Sequence, residues 1–173
     1  SEIVSRFTEV AGGDRQMDLF WRALCQGDVP VLETSLSRMV RDSASSLDLV
    51  SENSCHLLLL GLCFGIAGYD NPCSNREAGY GRYDIMLEPV EVRPGSLAAF
   101  GALKERPRVT IEVKLSKGDV GRGELERLAG QALEQIEERR YDARPLSEVA
   151  SGRLRWGIAF GGKRVVARCC RVG

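Results

Sequence analysis

The chain holds one histidine, His56, and none of its six cysteines stands in a Cys-x-x-Cys pair. Structural zinc sites draw on that kind of sulfur and imidazole spacing, so a zinc centre has little to build on. No apolar run reaches the roughly 18 residues that span a bilayer. The longest, "HLLLLGLCFGIAGY" (56–69), is broken by glycines and reads as a buried helix. A secretory start is missing too, with no basic opening, apolar block and small-residue cleavage site. There is no internal repeat, no low-complexity segment and no recognisable base-reading module. The chain opens on Ser1 without an initiator Met, which raises the expectation of a piece cut from something longer.

What is present is the balance of a soluble globular protein. Over 173 residues, 43% are hydrophobic and 28% charged, enough for one domain with a substantial core. Cys25, Cys55, Cys63, Cys73, Cys169 and Cys170 fall partly in apolar stretches, where cysteine acts as a small hydrophobe. An adjacent pair such as Cys169–Cys170 rarely bridges to itself, so reduced thiols and a cytoplasmic location are expected. The net charge of zero conceals an asymmetry: residues 1–100 carry 8 basic and 14 acidic groups, the remainder 16 and 10. Arginine-rich clusters at 138–144, 153–155 and 163–171 suit phosphate by their bidentate forks, although ordinary solvated charge explains any single cluster as well.

Hydrophobic spacing predicts helices over 14–26 and around 31–41, a polar connection at 42–46, and a third helix from near Leu47 to about Phe64. Leu49, Glu52, His56, Leu59 and Cys63 fall on one stripe of that helix, and its other sides are also apolar. A carboxylate there must be paired, protonated or metal-bound, with a hydrogen bond to His56 as the plain alternative. Two short strands follow, around 72–77 and 82–88, separated by a turn at Gly79 and Gly81. In the second, Ile85 and Leu87 share a face with Tyr83, and Arg82, Asp84 and Met86 take the other. A long connection, 89–108, leads to "RVTIEVKLSKG" (108–118), where Val109, Ile111, Val113 and Leu115 alternate with Thr110, Glu112, Lys114 and Ser116. The helix over 124–141 places Leu125, Leu128, Ala132 and Ile136 in its core stripe, with Gln131 and Gln135 on the flank near the sheet. Strands at 155–160 and 163–170 form a closing hairpin through a Gly161-Gly162 turn of type I′ or II′. The order predicts one α/β domain on a mixed sheet.

Glu112-x-Lys114 by itself is unspecific, since a surface ion pair of at most about 1 kcal/mol would produce the same pattern. Its company is more telling. If the strands bearing Asp84 and Glu112 are neighbours, the two carboxylates converge on one face, with Glu52 reaching in from the helix. Three carboxylates make a hard oxygen site for Mg²⁺ or Mn²⁺. Lys114 beside them would polarise a water or offset charge on a phosphate, as metal-assisted phosphodiester hydrolysis requires.

Asp84, a spacer and Glu112-Val113-Lys114 resemble the signature of the PD-(D/E)XK nuclease superfamily. "SNREAGYGRYDIML" (74–87), "IEVKL" (111–115), "ALEQI" with Tyr141 beyond, and "GIAFGGK" (157–163) resemble one branch of it. In that branch the nuclease domain follows an N-terminal AAA-ATPase-like domain. The resemblance covers roughly residues 45–166. It implies a restriction-endonuclease-like core, a central mixed β-sheet flanked by helices, over 45–173. Residues 1–44 would be a helical segment packed on it, the tail of an upstream region. It also implies Asp84, Glu112, the Val113 carbonyl and Glu52 as metal ligands for Mg²⁺ or Mn²⁺, with Lys114 as catalytic lysine. Gln135 and Tyr141 resemble the glutamine-to-tyrosine motif of RecB-like nucleases, at longer spacing, and would position the phosphate backbone or the water. Gln131, Glu77 and Arg82 join the substrate side, Arg82 as a phosphate contact, and Tyr80 matches the same block. The residue before Asp84 is Tyr83 where the family has proline, a position without a chemical part. The expected function is a metal-dependent deoxyribonuclease of little sequence specificity, with DNA as partner and no membrane. The alternative is a non-catalytic nucleic-acid-binding or interaction module that keeps the fold. Oligomeric state stays open, a homo-oligomer included.

Overall fold

The structure, a computed structural model, describes residues 14–42, 51–74, 84–140 and 142–173. Helix α1 (Asp14–Gln26) buries Met17, Phe20, Ala23 and Leu24, and α2 (Val29–Asp42) buries Leu32, Leu36, Met39 and Val40. Both stripes repeat at three and four residues, which turns one face of each helix to the core. Between the helices Gly27 adopts φ 76, and its N–H closes on the Ala23 carbonyl at 3.0 Å.

Helix α3 (Glu52–Leu62) starts later than its apolar run suggests. Ser51 is the extended N-cap residue: its Oγ accepts from Ser54 N–H at 3.1 Å, and Ser54 Oγ accepts from Ser51 N–H at 3.1 Å. That reciprocal pair satisfies two end donors and fixes the first turn at Glu52. Leu49 and the connection at 42–46, beyond Asp42, lie outside the described residues.

The sheet runs β1 (Cys73–Ser74), β2 (Asp84–Leu87), β3 (Arg108–Leu115), β4 (Arg153–Gly161) and β5 (Arg164–Val172), in that spatial order. All neighbours are antiparallel except β3 and β4, which are parallel and joined through α5 (Arg122–Arg139). A short helix, α4 (Leu97–Gly101), sits in the connection after β2. The fold is thus α/β, with an open mixed sheet of five strands and helices on both faces. The strand expected over 72–77 is described for Cys73–Ser74 alone, and 75–83 lies outside the described residues.

One face of the sheet carries the main core. Ile85 and Leu87, Val109, Ile111 and Val113, and Leu154, Trp156, Ile158 and Phe160 pack with α1, α2 and α3 in a single cluster. Two indoles tie the layers together: Trp156 Nε1 donates to the Leu24 carbonyl at 2.9 Å, and Trp21 Nε1 to that of Leu62 at 2.7 Å. The other face is covered by α5 through Leu125, Ala129, Ala132 and Ile136. Leu128, expected in that stripe, is half-buried, and Ala129 takes its place because the helix lies almost on the strand. A Cβ at Gly157 would stand 2.1 Å from the Ala129 carbonyl oxygen. Small residues on both sides allow the approach. The polar side of β3 is therefore no solvated face: strands next to a parallel crossover are buried on both sides.

The hairpin closes one residue later than the glycine pair suggests. Gly161 pairs with Arg164, so the turn residues are Gly162 and Lys163. Gly162 has φ 57 and Lys163 has no positive φ, which fits type II′ and not I′.

Arg108 and the two arginines of the 153–155 cluster serve the fold. Arg108 bonds Glu88 and the carbonyls of Asp142, Arg144 and Pro145. Arg153 reaches the Asp142 and Arg144 carbonyls, and Arg155 grips the Asp142 carboxylate at 2.7 and 3.0 Å. The 153–155 cluster is thus committed to holding the 142–145 connection, whereas Lys163, Arg164, Arg168 and Arg171 are exposed. Among the described residues no helix is long and apolar enough to cross a membrane. All six cysteines are free thiols.

Candidate metal centre

Asp84 stands directly opposite Glu112 in the β2–β3 register. Opposed residues of an antiparallel pair share a sheet face, with Cα atoms about 4.5–5.5 Å apart. The register fixes the backbone position of Asp84. Glu112 is 1% exposed, under α5, and among the described residues no cation pairs with it. Its Oε2 is buried with no hydrogen-bond partner among the described residues. An ionised oxygen in that condition is costly unless something beyond the described residues meets it. Lys114, two residues on, shares the strand face and is half-buried, but the two do not form an ion pair. The surface-pair explanation of Glu112-x-Lys114 fails on burial.

Among the described residues the β2–β3 pairing runs from Asp84↔Glu112 to Leu87↔Val109, and Val113, Lys114 and Leu115 continue β3 past the Asp84 level. Glu52 occupies this stretch. Its Oε1 accepts from the Leu115 N–H at 3.5 Å, a long contact at the strand edge turned away from β4. Alternate residues of a strand direct their backbone groups to the same edge, so the Val113 carbonyl shares that edge with the Leu115 N–H. Glu52 is half-buried at the first position of α3, where the helix dipole favours a carboxylate. The expectation of a carboxylate inside a buried helix is corrected accordingly. His56, one turn on, bonds Ser74 Oγ through Nε2 at 2.8 Å and so ties α3 to β1. Burial, with the Glu52 charge adding to it, raises the Cys55 thiol to about 12.

Gln135 is half-buried on α5, and its Oε1 is a second buried oxygen without a partner among the described residues. Gln131 is exposed, which corrects its placement near the sheet: the stripe centres on Ala129 and Ala132, and turns Gln131 outward. Glu77, Tyr80, Arg82, Tyr83 and Tyr141 lie outside the described residues. Thr110 Oγ1 is a third buried and unpartnered oxygen, on the same strand face as Glu112. A β-branched residue in a strand is ordinary, so the sequence gives no reason to single it out.

The arrangement brings Asp84, Glu112 and Lys114 to one sheet face and Glu52 and the Val113 carbonyl to the adjoining edge. Among the described side chains no group of three His, Cys, Asp or Glu gathers, a set that leaves out that of Asp84. No family model, curated protein or solved structure matches the chain.

Proposed function

We infer that this chain is a Mg²⁺- or Mn²⁺-dependent nuclease of the PD-(D/E)XK type, with a restriction-endonuclease-like core, which hydrolyses DNA phosphodiester bonds with little sequence specificity. The observation that carries the reading is the direct opposition of Asp84 and Glu112, with Lys114 on the same face of β3. The chemistry of the donor set supports it: carboxylates and a backbone carbonyl are hard oxygen ligands, and Glu112, buried with no cation beside it among the described residues, suits one. On this reading the chain follows an AAA-ATPase-like domain in a longer protein.

Asp84, Glu112, Glu52 and the Val113 carbonyl would hold the metal, which when bound supplies charge stabilisation at the phosphate and an acidified water. Lys114 brings a positioned cation to the non-bridging oxygens, where negative charge builds as water attacks phosphorus and the P–O3′ bond breaks. Covering by α5 keeps bulk water from the Glu112 side, so charges there interact more strongly than in solvent. Gln135, on the flank of α5, orients the water or the phosphate by hydrogen bonding. Circular and linear DNA incubated with Mg²⁺ should be degraded, and EDTA should stop it. Salt-dependent binding without turnover would sink the enzyme and favour a binding module.

A further inference from the structure

Three polar atoms are buried on the α5 side of the sheet with no partner among the described residues: Thr110 Oγ1, Glu112 Oε2 and Gln135 Oε1. Thr110 is 0% exposed, and alternation along β3 puts it on the face of Glu112. Helix α5 runs over them antiparallel to β4, since Leu125 meets Gly161 whereas Ala129 and Ala132 meet Gly157, the ladder partner of Glu112. Gln135 falls about a turn beyond that level, toward Thr110. Gly130 lies against Arg168 of β5. The opposite flank of the helix, with Leu128 and Gln135, therefore leans over β3.

Hydrogen-bond capacity decides what fits between the three. An ionised carboxylate oxygen and an amide oxygen only accept, and a hydroxyl donates as well as accepts. With Glu112 ionised, its Oε2 and Gln135 Oε1 cannot satisfy one another. A water molecule has two protons for the two acceptors and an oxygen for the Thr110 hydroxyl. That makes three bonds, the usual number for a buried water. We propose that Thr110, Glu112 and Gln135 hold one internal water, through which Thr110 acts as a positioning residue for the Glu112 carboxylate. The water ties one carboxylate oxygen inward and fixes the side chain's rotamer. The positioning role rests on the metal-site reading above; the water itself does not.

A crystal structure of the metal-free protein at a resolution that shows ordered solvent should reveal a water about 2.6–3.2 Å from all three atoms. No density there, or the Gln135 amide nitrogen directly on Glu112, overturns the water. Thr110→Val keeps the shape and removes the hydroxyl. It should lower the melting temperature and weaken Mn²⁺ binding about tenfold by calorimetry, with Thr110→Ser restoring both. A rise in melting temperature would mean that the hydroxyl has no partner at all, which also overturns the water. A water in place with unchanged Mn²⁺ affinity in Thr110→Val overturns the positioning role. If the wild-type protein binds no Mn²⁺, the metal reading falls and the positioning role with it. Density and the sign of the melting shift then judge the water alone.

Discussion

Replacing Glu112 by Gln should make the metal-free protein more stable. The native carboxylate is 1% exposed and, among the described residues, has no cation and one oxygen without a hydrogen-bond partner. The internal water proposed above meets that oxygen's hydrogen bond but not its charge, and an unpaired buried charge costs more than the about 1–3 kcal/mol of an unsatisfied neutral group. Glutamine keeps the volume, drops the charge and adds an amide donor. A gain of about 1–2 kcal/mol is the conservative expectation, and for a domain of this size that is about 2–8 °C in melting temperature. Thermal unfolding in EDTA, followed by circular dichroism, reads it. With Mg²⁺ the order should invert, because a ligand at 100 times its Kd adds about 2.7 kcal/mol to the wild type and little to the variant. If Glu112→Gln melts below the wild type in EDTA, and Mg²⁺ shifts both proteins equally, Glu112 is an ordinary structural carboxylate and the reasoning is refuted.

Three further outcomes follow from the packing. Gly157→Ala puts a Cβ 2.1 Å from the Ala129 carbonyl oxygen, so α5 must lift; urea unfolding should show a loss of about 3 kcal/mol or more, and a loss below 0.5 would refute the contact. Arg108→Ala strands Glu88 and the carbonyls of Asp142, Arg144 and Pro145, and should cost about 3–5 kcal/mol, with limited proteolysis cutting first near 142–150. Alkali should destabilise the fold, because burial lifts the thiols of Cys25, Cys55 and Cys169 to about 12. Unfolded thiols ionise from about pH 8.5 while the folded ones keep their protons, so the unfolded state binds fewer protons and stability falls as pH rises. Each such thiol contributes up to about 1.4 kcal/mol per pH unit between roughly 9 and 12. A urea midpoint unchanged from pH 7 to 10.5 would contradict this.

The elements with strict periodicity were readable in advance. The alternation through Val109–Leu115 is the strand, and its pairing with Asp84 follows from adjacency in the chain. What the pattern hides is what covers each face. Thr110, Glu112 and Lys114 have the look of a wet face, and only the parallel crossover shows that α5 closes over them. Leu128 draws the eye as the core residue of α5, yet the sheet selects Ala129, because Gly157 lets the helix come close. That shift also turns Gln131 out and leaves Gln135 in. Glu52 is misplaced by reading the apolar run backward through Leu49; a Ser51/Ser54 cap is a weak textual signal, since serine is common in loops too. The arginine clamp on 142–145 joins residues about 35 positions apart, which no local spacing can announce.

On the proposed function, Asp84 and Glu112 act across the β2–β3 ladder as one site for phosphodiester hydrolysis. Single-turnover cleavage of a labelled DNA duplex in Mg²⁺, by the wild type and by Asp84→Asn, tests it most directly. Metal-dependent cleavage by the wild type is expected, with a rate at least about 100-fold lower in the variant and an unchanged circular dichroism spectrum. Equal rates in the two proteins, or no cleavage by the wild type in Mg²⁺ or Mn²⁺, would contradict it.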